Sequence, residues 1–391
     1  MTSEEWKIAA IKDVVACLDA GASVLSEDRT KRQGEIGVLK VSAVSYGRFT
    51  PEAHKAVVEA SQIARLAVKP QKDTLLVSRA NTFDLVGASV YVAEDHPDLF
   101  LSDKLWRIRT VENCDARWLS YVLSTGSVRA DISERATGTS GSMKNISQEA
   151  FLDVKILLPP LPEQRKIAEI LGTWDAAIER VTRLVAALQR RKQGLMQRLL
   201  TGKVRFPEFV GEARQELRLG DFLRYTPRKV EKPSSAYVRM GIRSHGKGTF
   251  IEIIDDPASN AMDFLYEVKG DDLIVNITFA WEQAIAIVDA KDAGALVSHR
   301  FPTYEFDRTK VVSEFFRYLM LTERFHDKLE LITPGGAGRN RVMSKTDFLK
   351  LTVQVPSVKE QQRIGEVLVT NDKAIDTHQQ YLAALRQQKQ G

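Results

Sequence analysis

The sequence predicts an α/β protein of the α+β kind: two similar mixed domains joined by two long antiparallel coiled-coil helices, with an internal pseudo-two-fold repeat. Three observations carry this. Residues 161–194 (LPEQRKIAEILGTWDAAIERVTRLVAALQRRKQG) recur at 358–391 (VKEQQRIGEVLVTNDKAIDTHQQYLAALRQQKQG), without a gap, at an offset of 197, with 15 of 34 positions identical. Each copy spaces its apolar residues by alternating threes and fours, the pattern of a helix with a partner along one seam. The stretch before each copy repeats one order of elements: strand-like runs, a helix, a small-residue loop and an apolar run.

The chain divides accordingly into a first domain at 1–158, a long helix and linker at 159–211, a second domain at 212–356 and a second long helix at 357–391. In the first domain residues 6–18 suggest a short helix, followed by a Gly/Ser turn at 21–26. Strand-like runs follow at 36–44, 74–80, 85–93 and 104–109, then a helix over 116–133, the loop ATGTSGSMKNIS at 136–147, and FLDVKILLP. In the second domain residues 217–225 match the start. AYVRMGI, DLIVNITFA, QAIAIVDA and PTYEFD supply strands, residues 314–331 a helix, and TPGGAGRNRVMS at 333–344 the loop before FLKLTVQVP. The 197-residue offset already holds at Gly138/Gly335, Gly141/Gly338, Ser147/Ser344, Phe151/Phe348, Leu152/Leu349 and Pro159/Pro356. Before those loops the order of elements persists while residue identity fades, as expected of two modules with different targets.

The first long helix, starting near Pro162 and running to about Leu200, has a seam of Ile167, Leu171, Trp174, Ile178, Val181, Val185, Leu188, Leu195 and Leu199, interrupted by Lys192. The second carries Ile364, Leu368, Asn371, Ile375, His378, Leu382 and Leu385, with Asn371 and His378 where the first has Trp174 and Val181. A polar seam residue fixes register at some cost in stability. Copy one runs on past Gly194 as LMQRLLTGKVRF, whereas the sequence stops with copy two at Gly391; a natural end and a trimmed one both fit.

With 391 residues, 43% hydrophobic and 27% charged, the chain has enough length for two full cores. No apolar run approaches 18 residues, and MTSEEWKIAAIKD lacks the basic-then-apolar order of a secretory signal, which points to a cytoplasmic setting. Cys17 and Cys114 have no metal-ligand spacing and read as free buried thiols. The net charge of +5 permits an anionic partner without requiring one. No catalytic constellation emerges. Pro159–Pro160 is flanked by leucines, not by the acidic or amide and aromatic residues of a methyltransferase motif. The glycines at 335–338 precede a strand, and no GxxxxGK[ST] loop exists. His54, His96, His245, His299, His326 and His378 show no metal spacing, and Asp255–Asp256 and Asp271–Asp272 read as turn residues. No catalytic or metal-binding residue is therefore assigned.

Binding residues are more apparent. The small-residue loops carry Ser140, Ser142, Lys144 and Asn145 in one copy and Arg339, Asn340 and Arg341 in the other. Strand ends add Lys40, Tyr46, Arg48, Arg79, Asn81 and Phe83 in the first domain, and Arg239, Arg243, His245, Lys247, Asn276 and Trp281 in the second. Arginine suits guanine bidentately and asparagine suits adenine, while small residues let a backbone approach phosphates. The plain alternative for each is a solvated charge or a turn amide.

At PPLPEQRKIAEIL, followed by the long helix and GLMQRLLTGK, the sequence resembles the specificity (S) subunits of Type I restriction–modification systems; LLVSRANTFDLVG and GTSGSMKNIS also look like loops of their target-recognition domains. The resemblance spans the whole chain and departs at Val358–Lys359–Glu360, where Leu-Pro-Glu is the pattern. It implies that each domain reads one half of a bipartite, asymmetric site on double-stranded DNA. It implies that the helices set the gap and that two methyltransferase (M) subunits, joined in restricting complexes by restriction (R) subunits, dock on the chain. It further implies no cofactor on this chain itself, S-adenosylmethionine on the M subunits, ATP and Mg2+ on the R subunits, and no catalysis by the chain. Two other readings remain: a recognition subunit of a methyltransferase-only or other phage-defence complex, and a coiled-coil scaffold without a DNA role.

Overall fold

The computed structural model describes residues 6–45, 47–138, 143–333 and 341–390. The chain forms two compact units, Met1–Ala177 and Ile178–Gly391, whose boundary falls inside the first long helix, Leu161–Leu195. Among the described residues no helix is long and apolar enough to cross a membrane.

In the first unit Lys7–Ala10 pairs antiparallel with Lys155–Leu158. A four-stranded antiparallel sheet runs in the order Val15–Ala20, Leu105–Thr110, Thr74–Ser78, Ser89–Val92, and a three-stranded sheet joins Leu99–Leu101, Ile36–Leu39 and His54–Val57. Helices Ala116–Leu123 and Gly126–Arg135 close the core around Trp106, Trp118 and Phe151. The second unit repeats this plan. Gln215–Arg218 pairs with Thr352–Val355, a four-stranded sheet contains Leu223–Tyr225, Thr303–Phe306, Leu273–Val275 and Ile285–Ile287, and helices Ser313–Leu319 and Glu323–Leu331 cover Tyr304, Phe316 and Phe348. A five-stranded sheet, including the hairpin Tyr237–Ile242/Thr249–Ile254, is added to it. Antiparallel pairs predominate, as in an α+β fold.

Several predicted elements change. The helix expected over 6–18 is two strands, Lys7–Ala10 and Val15–Ala20, around a 3-10 turn. Both halves find ladder partners, and the Asp13 carboxylate accepts the Ala10 N–H at 2.8 Å, closing the turn that separates them. The helices expected over 116–133 and 314–331 each break in two. Thr125 and Thr322 take extended backbone there, and their hydroxyls bond back to the carbonyls of Val122 and Leu319. The run at 36–44 leaves the strand after Leu39 for a 3-10 turn, and DLIVNITFA is strand only over Leu273–Val275 because Asn276 turns the chain. The first long helix starts at Leu161, one residue before Pro162, and continues past Leu195 as a π-helix, Met196–Leu200. Cys17 is half-buried, its Sγ 3.0 Å from Asp19, whereas Cys114 is buried and its thiol is pushed up to about 12 by burial.

The residues identical between the copies hold each long helix to its own domain. Gln164 is buried; its Nε2 donates to Pro159 O at 2.8 Å and Asn113 O at 3.4 Å, while its Oε1 accepts Asp115 N at 2.9 Å. Gln361 does the same with Pro356 O at 2.9 Å, Lys310 O at 2.9 Å and Val312 N at 3.0 Å, every partner displaced by 197. Tyr121 donates to Asp175 at 2.6 Å and Tyr318 to Asp372 at 2.8 Å, again in register. Ser147 and Ser344 both cap the short helices that seat Phe151 and Phe348 in the cores.

Within the second unit the end of the first helix packs antiparallel to the start of the second. Asn371 Nδ2 donates to Leu188 O at 3.3 Å, while Leu195 and Leu199 join the core that holds Leu368 and Ile364. Lys192, the polar interruption of the seam, is paired: its Nζ lies 2.6 Å from Asp372 and 5.4 Å from the Tyr318 ring centre. Every seam residue of both helices is buried or half-buried.

Two outcomes follow. Gln361→Ala or Gln164→Ala orphans buried backbone groups, so each should cost about 1–3 kcal/mol and lower the urea midpoint of the unit that carries it. Tyr121 and Tyr318 have their phenols pushed up by burial and by the facing carboxylate. The folded chain therefore holds these protons more tightly than the unfolded chain does. Their contribution is complete at neutral pH and is lost as pH climbs past the ordinary tyrosine value of about 10. Ultraviolet titration should show both tyrosines ionising only as the fold opens, and Tyr318→Phe should remove one from that late group.

Candidate nucleic-acid interface

In each unit the small-residue loop returns to the same strand end. Ile146 N donates to Arg79 O at 3.0 Å in the first unit, and Met343 N donates to Ile277 O at 2.9 Å in the second. The same strand ends are held from the other side, Arg79 N by Lys104 O at 3.0 Å and Ile277 N by Arg300 O at 3.0 Å. The residues flanking these anchors therefore gather on one edge of each unit.

In the first unit Ala80–Asn81 pairs with Lys144–Asn145, placing Lys144 opposite Asn81 and Asn145 opposite Ala80. Arg79 lies 5.9 Å from the Trp106 ring centre, Lys144 Nζ reaches Gly138 O at 3.3 Å, and Phe83 is 52% exposed. The Asn81 side chain is engaged locally, accepting Thr82 N and donating to Ser78. Arg48 sits exposed on the hairpin Val44–Ser45/Arg48–Phe49, which is tied to the sheet by Gly47 N donating to Ser89 O at 3.1 Å. Lys40 stands apart, sharing Asp28 with Lys55 at 3.6 and 3.1 Å. Tyr46, Ser140, Ser142, Arg339 and Asn340 lie outside the described residues.

In the second unit the tip of the hairpin Tyr237–Ile242/Thr249–Ile254 docks on a 3-10 turn, Ala280–Glu282. His245 N donates to Glu282 O at 2.6 Å, Gly246 N to Gln283 O at 3.0 Å and Ser244 Oγ to Glu282 Oε2 at 2.6 Å. A Cβ on Gly246 would come within 2.2 Å of Leu321, so only glycine lets the tip approach this closely. His245 and Lys247 are exposed on this tip. Arg243 bonds the Thr249 carbonyl and lies 5.0 Å from the Phe250 ring centre. Arg341 lies 5.2 Å from the ring centre of Trp281, whose carbonyl is 3.0 Å from His326 Nε2.

Two predicted contacts are placed differently. Asn276 is buried, its Oδ1 accepting Thr278 N at 3.1 Å, so it is a turn amide rather than a surface reader. Arg239 is exposed but paired across the hairpin with Glu252 at 2.6 Å; an exposed pair of this kind is worth under about 1 kcal/mol and opens readily to a stronger anion. Sequence reasoning missed Lys104 and Arg300, cations at equivalent backbone positions. Only the three-dimensional match of the strand ends identifies them. Asp271, at φ 72°, and Asp272, held by Arg228, are turn and core residues. Among the described residues no three His, Cys, Asp or Glu side chains gather as a metal site.

Each edge thus offers cations, amides and aromatic faces on short, anchored turns, a set suited to phosphates, base edges and stacking. The two sets differ residue by residue although the scaffolds agree.

Comparison with known proteins places this pattern. A family model described as "Type I restriction modification DNA specificity domain" matches the chain twice, over residues 3–190 and 219–387. Over 394 residues the chain is 23% identical to a candidate type I restriction enzyme MjaX specificity subunit of Methanocaldococcus jannaschii, covering 95% of this chain and 88% of that one. Over 188 residues it is 29% identical to the type I restriction enzyme EcoEI specificity subunit of Escherichia coli, covering 47% of this chain and 31% of that one. The crystal structure of a Type-I restriction-modification system S subunit from M. genitalium superposes with a TM-score of 0.63 at 14% identity, covering 99% of this chain and 94% of that one. A chain from a structure concerned with complex assembly and conformational transition of the type I R-M system gives 0.51 at 15% identity, with 100% and 97% coverage. At these identities the structural likeness shows the fold.

Proposed function

The chain belongs to the Type I restriction–modification DNA specificity family, matched in both halves, and on that premise we propose that it reads a bipartite DNA site, one half per unit. The observation that carries this is the double match combined with two unlike cationic edges on equivalent strand ends. In the first unit the reading edge is Arg48, Arg79, Phe83, Lys104, Lys144 and Asn145. In the second it is Arg243, His245, Lys247, Trp281, Arg300 and Arg341. Each half-site alone gives modest discrimination, since a wrong base pair costs about 1–3 kcal/mol; two half-sites read together add theirs.

The long helices act as the spacer that sets the gap. At ~1.5 Å per residue, the 35 residues of Leu161–Leu195 span roughly 50 Å, about one and a half turns of DNA. The chemistry is assigned to partners. M subunits dock on this chain with S-adenosylmethionine, and in restricting complexes R subunits bring ATP and Mg2+; the chain itself contributes recognition.

Methylome sequencing of cells carrying the chain with its methyltransferase partner tests this. A split, asymmetric methylated motif is expected, and its absence overturns the reading. Lys247→Ala and Lys144→Ala should each lower affinity and flatten the salt dependence by about one counterion without changing the motif, whereas Arg341→Ala should relax one half of it. Inserting one heptad into the first long helix should change the accepted gap and leave both half-sites as they were; unchanged gap selection would rule out the spacer role.

A further inference from the structure

The internal repeat allows the two units to be compared position by position away from the DNA-reading edge, and one face differs. In the second unit the residues that follow the first long helix lie against the domain. Leu199 and Leu200 are buried in a core that includes Leu217, Val353, Ile364 and Leu368, with Val367 packed on it. Met196–Leu200 touches both Ser313–Leu319 and the second long helix. The turn then rests on the edge ribbon, where Arg214 donates to Leu200 O at 2.7 Å and Leu199 O at 3.2 Å. Arg205 next donates from Nε to buried Glu360 at 3.0 Å and bonds it a second time, and Phe206 lies 5.7 Å from the Arg363 guanidinium.

The corresponding face of the first unit is apolar and open. Ile8 and Leu157 sit opposite each other on the edge ribbon, 77% and 54% exposed, where the second unit has Glu216 and Gln354. Trp6, at the position of Arg214, is 48% exposed, and Ile170, at the position of Val367, is 52% exposed. Trp6 Nε1 donates to Glu163 at 3.0 Å, joining the ribbon to the helix start in one continuous face. Glu163 is the repeat equivalent of Glu360, and Lys166 that of Arg363.

We propose that this face, formed by Trp6, Ile8, Leu157, Glu163 and Ile170, is a docking surface for an amphipathic helix end that carries paired leucines followed by an Arg-aromatic dipeptide, supplied by another polypeptide. The apolar ribbon and Ile170 take the leucines, Glu163 takes the arginine as Glu360 takes Arg205, and Lys166 faces the aromatic ring. Charge complementarity selects this occupant over a plain apolar one: an acidic residue in the middle of an exposed apolar patch costs affinity unless a cation meets it. The proposal does not depend on the DNA-reading assignment.

The test uses a labelled peptide of the sequence LMQRLLTGKVRFPEFVG and the full chain, read by fluorescence anisotropy. Saturable binding is expected, weakened about tenfold or more by Ile8→Asp and by Glu163→Lys, both exposed positions whose variants should keep the parent circular dichroism and unfolding midpoint. A peptide carrying glutamate in place of the arginine should bind the parent chain poorly and the Glu163→Lys chain well. Absence of saturable binding, or binding indifferent to both substitutions, overturns the proposal. So does self-association of the chain that depends on Ile8 and that the peptide does not displace, since the occupant is then a second copy.

Discussion

One buried glutamine at the head of each long helix is the contact on which the architecture rests. Gln164 and Gln361 each satisfy two carbonyls and one N–H of the domain that precedes them, inside a core that water does not reach. A helix can be swung about an apolar contact with little loss, but not about three simultaneous hydrogen bonds whose loss leaves buried backbone groups unpaired. The Tyr121–Asp175 and Tyr318–Asp372 bonds, eleven residues further along each helix, fix its direction as well as its position. A recognition protein with a fixed spacing needs this rigidity where head meets spacer.

The long helices and the duplication were legible in the sequence because their signals are periodic and survive as identity. Glu163/Glu360, Gln164/Gln361 and Asp175/Asp372 proved identical for a physical reason, as each makes the same bond or occupies the same junction twice. The opening residues were misread as a helix because a short amphipathic stretch reads alike in either period. Only the ladder with Lys155–Leu158, over 140 residues away in sequence, decides it. The breaks at Thr125 and Thr322 depend on local hydroxyl-to-carbonyl bonds that compete with helix continuation, and propensity alone does not rank them.

The reading edges were only partly legible. Residue type suggested Arg79, Lys144, Lys247 and Arg341, and the fold gathers these at strand ends beside the returning loops. Asn276 has the same chemistry as Asn145, but burial commits it to a turn, and Arg239 is matched to Glu252 across a hairpin. Lys104 and Arg300 occupy equivalent places through backbone bonds that no residue-level pattern records. Recognition surfaces diverge because nothing in the core depends on them, and the scaffold beneath stays recognisable because every change there leaves a cavity or an unpaired group.

The five residues Met196–Leu200 are wound wider than the helix they extend. A π-turn holds one residue more than an α-turn of equal height, so it turns the face of everything after it relative to the seam. This is how Leu199 and Leu200, neighbours in sequence, both become buried in the second core. The heptad phase of the coil and the phase required by the domain differ at this join, and the surplus is taken up where the rod ends. Changes of spacer length by whole heptads leave that correction intact, while any other change must alter it, which restricts the lengths that the lineage of such a protein can sample.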